Sequence, residues 1–281
     1  MGTSVSLAPH ERSPAAPKQN SEVFMIAPGD VSMIYEMQES IANLGEDGFA
    51  FFNLHLTEAE MNAIYTFSIQ GDGDYNYYSD LDRLQTELPD RSALVGQGDV
   101  ASIAAIIHRV ALQVIEASGK ETALVIVRIS TPNSHYDVPR WHVDGSYYPG
   151  SWLKFAATLI GNPTLFYQMQ PEQKSQFDAY MRKSAEIYRQ ALDSHGEITT
   201  SNRDDLLLAE RRALCALFTN QLITGKPGEG AFFRVADRNT PAVHSEPKID
   251  GPRLFFSVLP GTEEEIAQYK NRCLELSSQK F

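Results

Sequence analysis

The stretch Arg140–Gly145, RWHVDG, and the stretch Val243–Pro247, VHSEP, lie about one hundred residues apart in the chain. In an extended segment, residues two apart project to the same side, so His142 and Asp144 can both reach one ion. His244, on a distant predicted strand, would complete a set of three ligands. Two imidazoles and one carboxylate on one side of an ion leave its opposite coordination positions open. The sequence therefore predicts a metal centre with open positions.

A basic residue follows the second stretch. Arg253 lies nine residues beyond His244, in a segment with the pattern of the last strand of a sheet. A guanidinium presents a planar fork that meets a carboxylate through two parallel hydrogen bonds. The sequence therefore predicts a carboxylate-binding group that accompanies the metal centre.

With these residues the chain resembles the Fe(II)- and 2-oxoglutarate-dependent dioxygenases. Their pattern is His-x-Asp, a long interval, a second His and then a basic residue on the last core strand. The resemblance covers about residues 120–260. It implies that His142, Asp144 and His244 bind Fe(II) and that Arg253 binds the distal carboxylate of 2-oxoglutarate. It also implies hydroxylation rather than halogenation, because the halogenating relatives replace the carboxylate ligand with a small residue.

One position departs from the family pattern. The family often has a hydroxyl two residues after the arginine, where this chain has Phe255. Thr158 and Ser257 are the hydroxyls expected to replace it in binding the cosubstrate. Ser130 and a tyrosine are the further alternatives.

Lys154 is a rival to Arg253 for the cosubstrate carboxylate. It begins a predicted strand on which Lys154, Ala156 and Thr158 point to the same side. Some branches of the dioxygenase family hold 2-oxoglutarate with a lysine from this early strand. Because a surface lysine at the start of a strand is the alternative, the sequence leaves the choice between Lys154 and Arg253 open.

A second His-x-Asp pair, His135 and Asp137, lies in the same predicted loop as RWHVDG. The pair in RWHVDG is preferred, because a glycine and a long apolar strand follow it, as in the family. Without a metal, the three predicted ligands would form a hydrogen-bonded polar network.

Two other functions fit the same residues. Zinc could use the three ligands with water in the fourth position for hydrolysis, but this leaves the spacing to Arg253 unexplained. A non-catalytic binding module of the same fold is the other alternative, and iron-dependent consumption of 2-oxoglutarate would distinguish it from an enzyme.

Composition limits the partners that we expect. The chain has 281 residues, 42% of them hydrophobic, and a formal net charge of -12. Nucleic acid is not expected, because phosphate contacts need a concentrated positive surface. No membrane span or signal segment is expected, and the two cysteines favour a reducing compartment. We therefore expect a cytoplasmic protein with a small-molecule or protein substrate. The sequence does not indicate whether the protein is a monomer or an oligomer.

The hydrophobic periodicity predicts an α+β fold. Residues 1–21 are expected to form a disordered leader, and residues 22–281 a single domain. Its core is predicted to be a double-stranded β-helix of the jelly-roll or cupin-like kind, with flanking helices on the N-terminal side. A helical insertion is expected at about residues 171–220, and residues 71–80 are predicted to form a loop.

Arg128 lies on a strand predicted over residues 123–130, which is nearly continuously apolar. A charged side chain in such a strand needs a partner. We expect Arg128 to belong to a structural ion pair or, as the alternative, to be a second group near the cosubstrate.

Overall fold

The computed structural model describes residues 28–69, 75–92, 96–132, 137–145, 147–193, 205–218, 222–235 and 241–278. The predicted leader, residues 1–21, lies outside the described residues. The division of the chain into a leader and a single domain therefore stays a prediction.

The secondary structure alternates short strands with longer helices. The strands are β1 (Phe49–Asn53), β2 (Ser68–Ile69), β3 (Tyr75–Asp80), β4 (Gly96–Gln97), β5 (Thr122–Ser130), β6 (Leu153–Ile160), β7 (Leu165–Tyr167), β8 (Leu222–Thr224), β9 (Glu229–Arg234), β10 (Val243–Ser245) and β11 (Arg253–Gly261). The helices are α1 (Pro28–Ala42), α2 (Glu58–Thr66), α3 (Leu81–Ser92), α4 (Val100–Ser118), α5 (Pro171–Asp193), α6 (Leu208–Leu217) and α7 (Glu263–Ser278).

Two antiparallel sheets form the centre of the molecule. The large sheet has the strand order β1-β9-β6-β11-β5-β3, and the small sheet has the order β10-β7-β8. Phe166 of the small sheet packs in one apolar cluster with Ala156 and Phe233 of the large sheet, so the two sheets face each other. The predicted fold class is confirmed: the protein is α+β, with the paired sheets of a double-stranded β-helix and flanking helices.

Helix α4 covers the other face of the large sheet. Ile107 and Val110 of α4 pack with Val125 and Val127 of β5 in the main core cluster. The Asp99 side chain caps the start of the helix by accepting a hydrogen bond from a backbone amide. By length and composition α4 is also apolar enough to cross a membrane, but in this structure its apolar residues are packed in the core.

Residues 71–74 of the loop predicted at residues 71–80 lie outside the described residues, and the prediction is wrong for Tyr75–Asp80, which form β3. This strand pairs with β5 at the end of the large sheet. An edge strand tolerates polar residues, because one of its sides is not paired within the sheet. Tyr77 is 1% exposed and Tyr78 is 55% exposed, so the alternation of a strand is present within a polar composition.

Helices α5 and α6 lie within the segment predicted to be a helical insertion. Phe177 of α5 and Leu214 of α6 belong to an apolar cluster that also contains Phe218 and Trp141. The Trp141 and Phe218 rings meet edge to face, with their centroids 5.4 Å apart. The helices therefore pack directly against the residue that precedes His142.

We predict that Gly230→Ala destabilises the protein. A Cβ atom on Gly230 would lie 2.8 Å from Cε2 of the Phe155 ring and 3.1 Å from the Ala156 carbonyl oxygen. Because these atoms are packed in the sheet, the free energy of unfolding should fall by about 1–3 kcal/mol, as for other overpacked cores. Gly251→Ala is the matched control, since nothing lies within 4 Å of its added Cβ. Denaturant titrations that gave both variants the stability of the parent would contradict this packing.

Candidate metal centre

The two predicted histidine ligands are backbone partners. The amide of each donates a hydrogen bond of 2.9 Å to the carbonyl of the other, so His142 lies beside β10 as an extension of the small sheet. Asp144, two residues further on, points to the same place. Its Oδ1 lies 3.5 Å from His142 Nε2 and 3.7 Å from His244 Nε2. The structure thus brings the three predicted ligands together, with one ligand atom of each within 4.8 Å of the others.

The hydrogen bonds of the imidazoles orient them for metal binding. His142 Nδ1 lies 2.7 Å from the Arg140 carbonyl oxygen, and His244 Nδ1 lies 3.0 Å from the Ala242 carbonyl oxygen. Because a carbonyl only accepts, each Nδ1 carries the hydrogen, and in the neutral ring Nε2 keeps its lone pair. Two lone pairs and one carboxylate oxygen therefore face one another, an arrangement that a cation between them stabilises. A donor set of two nitrogens and one oxygen suits Fe(II) with open positions.

The second oxygen of Asp144 is held by two donors. The Tyr147 hydroxyl donates to Asp144 Oδ2 at 2.8 Å, and the Lys154 ammonium donates to the same oxygen at 2.9 Å. Lys154 also donates to the Tyr147 hydroxyl at 2.7 Å, which closes a triangle of hydrogen bonds. With Oδ2 held in this way, Asp144 presents Oδ1 alone to the two imidazoles.

The charges of the site hold two of the three predicted ligands in the forms that bind metals. Burial opposes the charged form of the third, His142, but the Asp144 and Glu246 carboxylates raise its pKa, so this imidazole has to release a proton more often than a free one when a metal binds. Burial opposes ionisation of Asp144, but the nearby ammonium of Lys154 and the imidazoles hold the pKa of its carboxyl well below the ordinary value. Burial and the neighbouring His142 lower the pKa of His244 to about 4. At neutral pH the Asp144 carboxyl is therefore ionised and His244 is neutral, as metal ligands must be.

Arg253 is buried at the start of β11. Its Nε donates to the Asn162 carbonyl oxygen at 2.9 Å, and Nη2 lies 3.3 Å from the hydroxyls of Thr158 and Thr164. The guanidinium carbon lies 4.7 Å from the centroid of the Phe255 ring. The aromatic ring that departs from the family pattern thus supports the guanidinium by a cation–π contact.

One face of β6 connects the metal centre to this arginine. Lys154, Ala156 and Thr158 alternate on that face, with Lys154 in contact with Asp144 and Thr158 in contact with Arg253. Ala156, between them, lines a small cleft together with Phe51, Phe166, Gly230 and Ala231. The strand thus carries the contacts of both the candidate metal centre and the guanidinium on one face.

The other two predicted hydroxyls, those of Ser257 and Ser130, are buried in the large sheet. Ser257 is buried on β11, four residues beyond Arg253 and so about 13 Å along the strand. Ser130 is buried opposite Arg253 on β5. The hydroxyl of the predicted Thr158 and that of Thr164 each lie 3.3 Å from Nη2 of the guanidinium.

The structure describes one residue of the rival His-x-Asp pair, Asp137. His135 lies outside the described residues. Asp137 is exposed, and its carboxylate lies 3.4 Å from the Lys248 ammonium.

Arg128 has an acidic partner, as expected. Its Nη1 lies 3.6 Å from Oε1 of Glu246, and Arg140 donates to the same oxygen at 3.2 Å. Glu246 follows His244 by two residues, and Arg140 precedes His142 by two. Because side chains alternate along an extended chain, the positions of Glu246 and Arg140 beside the ligands could have been predicted from the sequence. No sequence pattern marks Tyr147 or Thr164.

Comparison with known proteins gives structural matches alone. No protein-family model and no curated protein matches the chain. A prolyl hydroxylase from Trichoplax adhaerens, solved with a hypoxia inducible factor oxygen degradation domain peptide fragment, is 11% identical with a TM-score of 0.42, covering 86% of this chain and 97% of that one. A Pseudomonas putida prolyl-4-hydroxylase is 9% identical with a TM-score of 0.39, covering 80% and 98%. A Burkholderia pseudomallei oxidoreductase of the 2OG-Fe(II) oxygenase family is 9% identical with a TM-score of 0.37, covering 80% and 92%.

We predict that Tyr147→Phe weakens metal binding. The substitution removes one of the donors that hold Asp144 Oδ2, and loss of such a supporting hydrogen bond lowers metal affinity by about 10–100-fold. Titration with Fe(II) in the absence of oxygen measures the dissociation constant. Tyr148→Phe is the matched control, because the Tyr148 hydroxyl donates to the Pro260 carbonyl oxygen and not to Asp144. Equal metal affinity in the two variants would show that Tyr147 does not position the ligand.

Proposed function

We propose that this protein is an Fe(II)- and 2-oxoglutarate-dependent oxygenase that hydroxylates a small molecule or a protein side chain. The observation that supports the proposal most strongly is the convergence of His142 Nε2, His244 Nε2 and Asp144 Oδ1, with both Nδ1 atoms held by backbone carbonyls. This geometry gives each imidazole the tautomer that a metal ligand needs. We assign these three residues as the iron ligands.

Arg253 is the residue that we assign to the distal carboxylate of 2-oxoglutarate. Its guanidinium is buried beside the Thr158 and Thr164 hydroxyls, and a carboxylate paired with it there would be little screened by water. Lys154 is less suited, because its ammonium already binds Asp144 and Tyr147. We therefore assign Lys154 to positioning the aspartate.

The chemistry of the bound groups would be the coupling of O2 reduction to oxidative decarboxylation, with one oxygen atom entering the substrate and the other entering succinate as CO2 leaves. The chain itself binds and orients the reactants and excludes water. Phe233 and Phe166 cover His244, with ring centroids 4.9 and 5.9 Å from the imidazole. The His142 side chain is 35% exposed and that of His244 is 8% exposed, so substrate would approach from the His142 side.

Binding of Fe(II) and 2-oxoglutarate without oxygen tests this function. We expect the parent protein to develop a visible absorption band when both are added, because 2-oxoglutarate coordinates the bound iron. His244→Ala should lose the band through loss of iron. Arg253→Gln should still bind iron but need at least about ten-fold more 2-oxoglutarate, as expected for loss of a charged hydrogen-bonding partner.

The exposed Arg212 provides the matched control, and Arg212→Gln should titrate like the parent. A parent protein that gave no band and consumed no 2-oxoglutarate with a broad panel of substrates would contradict the proposed function. Tight binding of zinc with no binding of Fe(II) would favour the hydrolase alternative. A normal 2-oxoglutarate requirement in Arg253→Gln, with a raised one in Lys154→Met, would reverse the assignment of the cosubstrate residue.

A further inference from the structure

Tyr147 holds a proposed metal ligand from a segment that has no regular structure. Its hydroxyl donates to Asp144 Oδ2 at 2.8 Å. Residues 147–152, however, contain turns and bends but no helix or strand. A hydrogen bond weakens steeply when its length or angle departs from the optimum. The support of Asp144 therefore depends on what fixes the Tyr147 ring from outside this segment.

Helix α7 contacts Tyr147 at two points. The ring of Tyr269 meets the Tyr147 ring edge to face, with the centroids 5.5 Å apart and the planes at 76°. The guanidinium of Arg272 donates a hydrogen bond to the Tyr147 backbone carbonyl oxygen. The guanidinium carbon also lies 5.4 Å from the centroid of the Tyr269 ring. Side chains of α7 thus contact both the ring and the backbone of Tyr147.

The start of α7 is itself anchored to the large sheet. Thr262 and Glu265 form a capping box, in which each side chain accepts a hydrogen bond from the backbone amide of the other. Ile266 is 3% exposed and packs in a cluster with residues of β5 and β11. Residues three apart on a helix are neighbours, so Ile266, Tyr269 and Arg272 follow one another along one side of α7. The anchored first turn therefore sets the position of the two side chains that contact Tyr147.

Lys154 contacts the same tyrosine from β6. Its ammonium lies 5.0 Å from the centroid of the Tyr147 ring and donates to the hydroxyl at 2.7 Å. It also donates directly to Asp144 Oδ2 at 2.9 Å. Because Lys154 would keep this direct bond if the ring moved, loss of the contacts from α7 should weaken the Tyr147 hydrogen bond alone.

We propose that Tyr269 and Arg272 of α7 are positioning residues for the metal centre, which act on Asp144 through Tyr147. Packing of the Tyr269 ring keeps the Tyr147 hydroxyl directed at Oδ2, and Arg272 holds the backbone of the same residue. Helix α7 thereby contributes to metal affinity, although both side chains are one residue removed from the ligands. This inference rests on the metal centre of the proposed function but not on the reaction that occurs there.

Titration with Fe(II) in the absence of oxygen tests the role of Tyr269. Tyr269→Ala should weaken Fe(II) binding by about 3–10-fold, because the edge-to-face pair contributes a modest energy beyond its burial. Tyr269→Phe keeps the ring and should bind Fe(II) like the parent. Gln268→Ala is the control on the same helix, since the Gln268 amide donates to the exposed Glu264 carboxylate.

Arg272→Ala is a second variant that should fold like the parent, because Arg272 is exposed. It removes the donor to the Tyr147 carbonyl oxygen, so Fe(II) should bind about 2–5-fold more weakly. Combination with Tyr147→Phe separates positioning from a general loss of stability. In that background the Tyr147 hydroxyl is absent, so Tyr269→Ala should weaken Fe(II) binding by less than about two-fold more.

Amide hydrogen exchange gives a readout that does not depend on activity. Because coupling between two sites is reciprocal, Fe(II) should slow exchange in the peptides that cover α7, Glu263–Ser278. Helix α1, which packs in the main core cluster, is the internal control and should change less. In Tyr147→Phe, which lacks the connecting hydroxyl, Fe(II) should no longer slow exchange in α7.

Three results would overturn the proposal. These are the parent's Fe(II) affinity in folded Tyr269→Ala and Arg272→Ala, an equal loss of affinity with and without the Tyr147 hydroxyl, and an equal loss in Tyr269→Phe and Tyr269→Ala. A parent protein that binds Fe(II) but consumes no 2-oxoglutarate would contradict the proposed function and leave this result intact. A parent protein that binds no Fe(II) would overturn both.

Discussion

Two backbone hydrogen bonds of 2.9 Å between His142 and His244 hold the two imidazoles of the candidate site side by side. In such a pair the two α-carbons are about 5.5 Å apart, which brings the side chains next to each other. The imidazole centroids are 4.3 Å apart. Asp144 follows in the same extended segment and so reaches the same point. A segment with no regular strand of its own is thereby fixed to the small sheet.

The three electron-pair donors of the site repel one another at close range. A positive charge on the large sheet offsets this repulsion. Lys154 of β6 supplies the positive charge, and Tyr147 supplies a second donor to the same carboxylate oxygen. Each oxygen of Asp144 then has a separate role, one toward the sheet and one toward the imidazoles. Further along the same face of β6, Thr158 meets Arg253, so a single strand aligns both ends of the proposed cosubstrate site.

The features that follow from the spacing of residues along the chain could be predicted from the sequence. The apolar run of β5 and the spacing around His142 and His244 required only periodicity, and the structure brings the three expected ligands together. Periodicity and spacing could not predict which side chains meet between the two sheets. Lys154 looked like a surface or cosubstrate residue, because its partner Tyr147 is placed by an irregular loop. Strand β3 was mistaken for a loop, because its polar composition suits a sheet edge as well as a turn.

Trp141 links the candidate metal centre to helices α5 and α6, which lie outside the sheets. Its indole is packed among residues of α5 and α6, while the next residue in the chain carries a proposed iron ligand. His244, in contrast, is anchored by strands and by the rings around it. A displacement of α5 or α6 would therefore act on His142 through the neighbouring indole, and the two backbone hydrogen bonds to His244 would oppose it. Substitutions that change the packing of these helices would thus affect the coordination geometry without touching the reacting atoms.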